Sequence, residues 1–150
     1  MNKILDKLKL SKQNPILIIN APEEYKKVIM DIKSEVHLKI NGKYDFIQFF
    51  ANTLSEANTM VKDVTTAIKN DGLLWFCYPK GTSKKYHSDI NRNKAWEIFG
   101  PYNYEAVSQI SIDDDWSALR FRNTDNIKTL KRKIAASTKG KERVKNNWCL

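Results

Sequence analysis

Two short runs constrain this chain more than anything else in it: Ile16-Leu17-Ile18-Ile19 and Leu73-Leu74-Trp75-Phe76-Cys77-Tyr78. Neither alternates apolar with polar residues. A strand carrying apolar side chains on both sides has to be buried on both faces, which is the position of a central strand in a parallel sheet covered by helices.

The rest of the chain reads as partners for those two strands. Residues 2–10 put Ile4, Leu5 and Leu8 on one helical face, and Asn14-Pro15 ends that helix. Asn20-Ala21-Pro22-Glu23-Glu24 opens a second helix with proline early and acids at the positive dipole end, and Tyr25, Val28, Ile29 and Ile32 form its buried stripe. Val36, Leu38 and Ile40 alternate with polar residues and predict a short strand, closed by the turn Asn41-Gly42. Tyr44 to Ala51 is the next strand. Thr53 and Glu56 form a capping box for a helix with apolar residues at Leu54, Ala57, Val61, Val64 and Ile68. Asn70-Asp71-Gly72 stops it, with Gly72 expected in the left-handed conformation. After the second apolar run, a helix is expected over 88–99, then strands over 105–112 and 117–122, close enough in sequence to pair antiparallel. The expected fold is therefore α/β: three layers, a mostly parallel sheet and an antiparallel C-terminal edge hairpin. The expected organisation is one α/β domain over residues 1–126, followed by a basic C-terminal helix and tail over 127–150.

The charge balance supports that division. Lys and Arg outnumber Asp and Glu by 26 to 17, a net charge of +9. Lys128 to Lys145 contains eight basic residues against Glu142 alone, so this stretch supplies +7 of the total. Lys128, Lys131, Arg132 and Lys133 are its candidate nucleic-acid contacts. Neutralising phosphates would give weak, salt-sensitive binding without sequence preference; the plain alternative is a solvated end. The two cysteines, Cys77 in an apolar run and Cys149 next to last, make no obvious disulfide, and a reducing, cytoplasmic setting is expected. No stretch approaches the roughly 20 apolar residues that span a bilayer, and the charged N-terminus does not read as a signal peptide. Oligomeric state is not legible.

The junction after the second apolar run is the most suggestive stretch for function. Lys80, Gly81, Thr82, Ser83 and Lys84 have the composition of an anion cradle: ammonium groups, hydroxyls and a glycine that lets backbone N–H groups turn inward, with a helix start behind them. Arg92 would join Lys80 in gripping the anion, although Asp89 and Arg92 read more readily as a helix cap and an ion-pair partner. The stretch is not a Walker A loop, because the earlier glycine is missing. Trp116 is a candidate for ligand stacking, or an aromatic packed on the sheet edge. Asp113-Asp114-Asp115 reads as a polar turn, since adjacent acids rarely converge on one ion, and His37 and His87 have no zinc-ligand spacing. Neither a metal nor a cofactor is expected. These residues point first to a non-enzymatic or regulatory domain taking a small anion or phosphorylated ligand at the loop.

Two resemblances accompany this reading. Ile18-Ile19-Asn20-Ala21-Pro22-Glu23, Leu74-Trp75 through Tyr78-Pro79-Lys80, and Asp89 with Asp115-Trp116-Ser117-Ala118-Leu119-Arg120-Phe121 resemble a family of small bacterial proteins of unknown function, over about residues 15–123. That resemblance implies a fold and a bacterial source but no activity. Asp45-Phe46-Ile47, the capped helix, Asn70-Asp71-Gly72, Leu73 to Lys80 and the final hairpin resemble the second half of a Rossmann-type methyltransferase. In that fold the cofactor, S-adenosylmethionine, lies over a glycine-rich loop after the first strand. Here that loop is Asn20-Ala21-Pro22-Glu23-Glu24, without a glycine. The alternative implied is a degenerate methyltransferase-like enzyme.

Overall fold

The computed structural model describes residues 3–127. A six-stranded sheet forms the middle layer: β1 (Ile16–Ile19), β2 (Val36–His37), β3 (Tyr44–Phe50), β4 (Ile68–Pro79), β5 (Tyr104–Ser111) and β6 (Trp116–Asn123), in the order β2-β1-β3-β4-β6-β5. The first four strands are parallel, and β6 joins β4 antiparallel with β5 outside it. The two apolar runs lie inside the sheet, as two-sided burial requires. The architecture is a three-layer α/β fold of Rossmann-like type.

The helices divide between the faces. α1 (Lys3–Lys7) and α2 (Lys26–Met30) cover one side. There Leu5, Leu8, Tyr25 and Val28 pack on Ile16, Ile18, Phe46, Phe50, Trp75 and Cys77. α3 (Leu54–Ala67) and α4 (Arg92–Phe99) cover the other. There Ala57, Val61, Val64, Ala95 and Phe99 pack on Ile47, Phe49, Phe76, Leu119 and Phe121. Stacked rings carry much of this second core: Phe99 lies 3.9 Å from Phe121 and Phe49 lies 4.8 Å from Phe76 between centroids. A buried polar link crosses the first core. The Tyr25 hydroxyl donates to Gln48 Oε1 at 3.0 Å, and Gln48 Nε2 donates to Cys77 Sγ at 3.4 Å.

Several local expectations are corrected. The alternation over 35–40 yields only a two-residue strand, because β2 pairs with Ile16 and Leu17 alone; Leu38 and Ile40 then turn outward, 64% and 41% exposed. The second helix begins as a 3-10 turn, Glu23–Tyr25. α4 starts at Arg92 rather than 88, because Asn91 is its cap and accepts from Lys94 N–H at 2.9 Å. α3 stops at Ala67, and Ile68, expected in its stripe, already pairs with Tyr44 as the first residue of β4. Residues 69–72 then bulge out before Leu73 pairs with Phe46. Asp71, not Gly72, takes the left-handed conformation, at φ 56°, and Arg122 clamps its carboxylate with two bonds of 2.8 and 2.7 Å. The basic helix and tail fall on residues 128–150, outside the described residues.

Gly72 is required by close approach. A Cβ there would lie 2.8 Å from Ile68 Cδ1 and 3.1 Å from the Asp45 carbonyl oxygen. Gly72→Ala is therefore expected to destabilise the fold by about 1–3 kcal/mol, as overpacking against backbone does, in a urea titration with unchanged slope.

Candidate functional site

Strand order reverses direction at one place. From β1 the chain passes to β2 on one side, then returns to β3 on the other, and the covering helices change face with it. In doubly wound sheets, ligands bind beyond the carboxyl ends of the strands at such a switch point. The residues there are Asn20 and Ala21 after β1, Asn52 and Thr53 after β3, and the segment after β4.

Asn20 sits at φ 60°, a left-handed conformation that asparagine tolerates better than most residues. Its side-chain amide donates to the Phe50 carbonyl at 2.9 Å and to Glu56 Oε2 at 3.2 Å. It adds one side-chain rung to the β1–β3 ladder, beyond the backbone pairing of Ile19 with Phe49. Glu56 is the expected capping-box acid, and Thr53 Oγ1 accepts from its N–H at 3.2 Å. Its carboxylate accepts from the Asn52 N–H at 3.3 Å and the Thr53 hydroxyl at 3.4 Å, as well as from Asn20. Asn52 Oδ1 is shielded from solvent without a hydrogen-bond partner.

The segment after β4 crosses this edge. Ser83 Oγ donates to Asp115 Oδ1 at 2.8 Å. Lys85 Nζ donates to Glu24 Oε2 at 3.0 Å, the Tyr86 hydroxyl donates to Glu24 Oε1, and Trp116 Nε1 donates to the same oxygen at 3.3 Å. Asp89 Oδ1 accepts from the Leu54 N–H at 2.8 Å, so it caps α3 rather than its own helix. Tyr86 packs with the α1–α2 core and Ile90 with the α3–α4 core, which puts the intervening residues over the sheet's edge. Burial alone would raise the Glu24 pKa, but hydrogen bonds from Tyr86, Lys85, its own backbone and Trp116 together lower it to about 2. Tyr86 is raised, by desolvation and by the carboxylate it serves.

The sequence-derived candidates are placed as follows. Lys80 Nζ donates to Ser111 Oγ at 2.6 Å, and its backbone N–H is held by the Asp115 carbonyl at 2.8 Å. Ser83 is engaged with Asp115. A Cβ on Gly81 would meet nothing within 4 Å, so no close approach calls for glycine there. Gly81, Thr82 and Lys84 are exposed. Arg92 lies over the Trp96 ring, 5.2 Å from its centroid. Trp116 is 4% exposed, edge-on to Phe50 and Tyr86, and so packs in the core instead of offering a ring face. The Asp113 carboxylate accepts from the N–H groups of Asp115 and Trp116 at 2.8 Å each, making the triplet a turn. Among the described residues no group of three or more His, Cys, Asp or Glu is placed to hold a metal, and no helix is long and apolar enough to cross a membrane. Lys128, Lys131, Arg132 and Lys133 lie outside the described residues. Cys77 is fully buried and burial pushes its thiol far up, so it is inert as a nucleophile. Sequence reasoning missed Glu24, Tyr86 and Asn20 as edge-closing groups; an asparagine, which tolerates the left-handed conformation, directly after an apolar strand was the one available signal.

No family model and no curated protein matches the chain. Its fold is similar to that of the N-methyltransferase NodS from Bradyrhizobium japonicum, with a TM-score of 0.52 and 14% identity over 81% of this chain and 93% of that one. It is likewise similar to a ribosomal protein L11 methylase from Lactobacillus delbrueckii subsp. bulgaricus, with a TM-score of 0.52 and 8% identity over 81% and 75%. At these identities the likeness is one of fold. The first expectation, a non-enzymatic domain gripping an anion at residues 80–85, is overturned. The two solved structures above are methyltransferases, and the loop's Lys80, Ser83 and Lys85 are spent on Ser111, Asp115 and Glu24.

Because the folded Glu24 value lies below the ordinary 4.5, its carboxylate stabilises the fold fully above that pH and progressively less as pH falls toward 2. The stability difference between the native chain and Glu24→Gln is expected to stay constant above about pH 5 and to shrink from 4.5 toward 2. Denaturant titrations at stepped pH check this; a difference that grows in acid would contradict it.

Proposed function

We propose that this chain is a degenerate methyltransferase-like enzyme working at the carboxyl edge of its sheet, at the β1/β3 switch point. The observation that supports this reading is the sheet itself, whose strand order reverses between β1 and β3 in a fold like that of two methyltransferases. Fold similarity supplies the scaffold and not the chemistry, so the site has to be judged on its own residues.

Judged that way, the loop after β1 does not fit the glycine cradle that the scaffold uses for S-adenosylmethionine. Asn20 occupies a glycine-like backbone conformation but carries a side chain that bridges to β3. Pro22 has no N–H to offer a ligand. The scaffold is retained while its means of tight cofactor binding is absent, which is the sense in which the protein is degenerate.

Calorimetry is expected to give no heat with S-adenosylmethionine at micromolar concentration. In a nuclear magnetic resonance titration, millimolar S-adenosylhomocysteine is expected to shift the backbone amides of Asn20, Ala21, Asn52 and Thr53. The amides of Asn70 and Asn123, at the opposite edge, should stay in place. Shifts confined to that opposite edge, or no shifts at all, would remove the support for this reading. Micromolar affinity would instead contradict the degeneracy.

A further inference from the structure

We propose that residues 83–89 are an autoinhibitory strap, held by Glu24 across the carboxyl edge and closing the β1/β3 switch point. The inference rests on the methyltransferase-like reading of that edge.

The strap's fastenings fall on the two elements that flank the switch point. Lys85 and Tyr86 fasten to Glu24 in the turn after β1, and Asp89 fastens to the first N–H of α3, the helix after β3. Its near end is tied to the start of β6 through Ser83 and Asp115. Between Tyr86 in one core and Ile90 in the other, the chain has to pass over the edge of the sheet. Glu24 is the central fastening, because its two oxygens take three donors from two separate segments.

The material of the strap is suited to opening. Lys84, Lys85, His87 and Asp89 are exposed, no helix or strand runs through it, and Tyr86 is its one apolar anchor, so side-chain bonds hold the rest. The fastenings also differ from the bonds of the sheet beneath: they are few, made by side chains and charge-assisted, so each one lost raises the open population without unfolding β4. A ligand that needs the open form binds more weakly by the fraction of molecules that are open, and removing a fastening restores the affinity by the same factor.

The test compares the full chain with Glu24→Gln and with Tyr86→Phe, two conservative changes that remove a charge and a hydroxyl in turn. Amide hydrogen exchange at Leu54 and across 83–89 is expected to speed up about tenfold in each variant, the scale of one lost charge-assisted hydrogen bond. Exchange in β4 should not change. S-adenosylhomocysteine affinity, measured on the same three proteins, is expected to rise by about the same factor. Unchanged exchange at Leu54 and 83–89, or faster exchange with equal affinity in all three, overturns the strap while leaving the methyltransferase-like reading in place. Faster exchange with no binding by any of the three overturns that reading, and the inhibitory role with it.

Discussion

Reversal of strand order between β1 and β3 is the constraint from which the rest of this structure follows. Parallel neighbours that send their connections opposite ways leave a gap beyond their carboxyl ends, and something has to fill it. In this chain the filling is supplied from within. Asn20 spans the gap with its amide, Glu56 holds that amide from the far side, and the residues between β4 and α4 pass overhead. Doubly wound sheets commonly take their ligands in such a gap.

Charge placement reinforces the closure. Glu24 would be a poor resident of a half-buried turn if left alone, because desolvation works against its ionised form. Donors from Lys85, Tyr86 and Trp116 reverse that tendency, and the acid becomes the anchor for a lysine-rich loop. Trp116 belongs to both halves of the arrangement. Its ring packs against Phe50 at the end of β3 while its N–H turns out to the carboxylate. The polar closure is therefore seated on the apolar core and not merely laid over it.

The fold was largely legible in the sequence because its signals are local. Unbroken apolar runs marked β1 and β4, and Thr53 with the spacing of Ala57, Val61 and Val64 marked α3. What failed locally failed for tertiary reasons. Ile68 keeps helical spacing but is drawn into β4 by pairing with Tyr44, and Leu38 and Ile40 alternate properly but lie past the two-residue pairing of β2 with β1. The site was far less legible. Lys80, Ser83 and Lys85 do form a basic, hydroxyl-rich loop, but composition does not disclose that their partners are Ser111, Asp115 and Glu24, residues distant along the chain. Glu24 read as a helix-start acid and Asp89 as a cap for the helix that follows it. Only the folded chain shows that each serves a different segment.

The Asn20 side chain tests the central claim, that the switch point is closed by the protein's own groups, most directly. Both of its Nδ2 protons have acceptors, the Phe50 carbonyl and the Glu56 carboxylate. Nuclear magnetic resonance of that amide should show two distinct proton signals that exchange slowly with water, with cross-relaxation to Phe50 and Glu56. Signals that exchange as fast as those of the exposed Asn93, with no contact to either residue, would contradict the account.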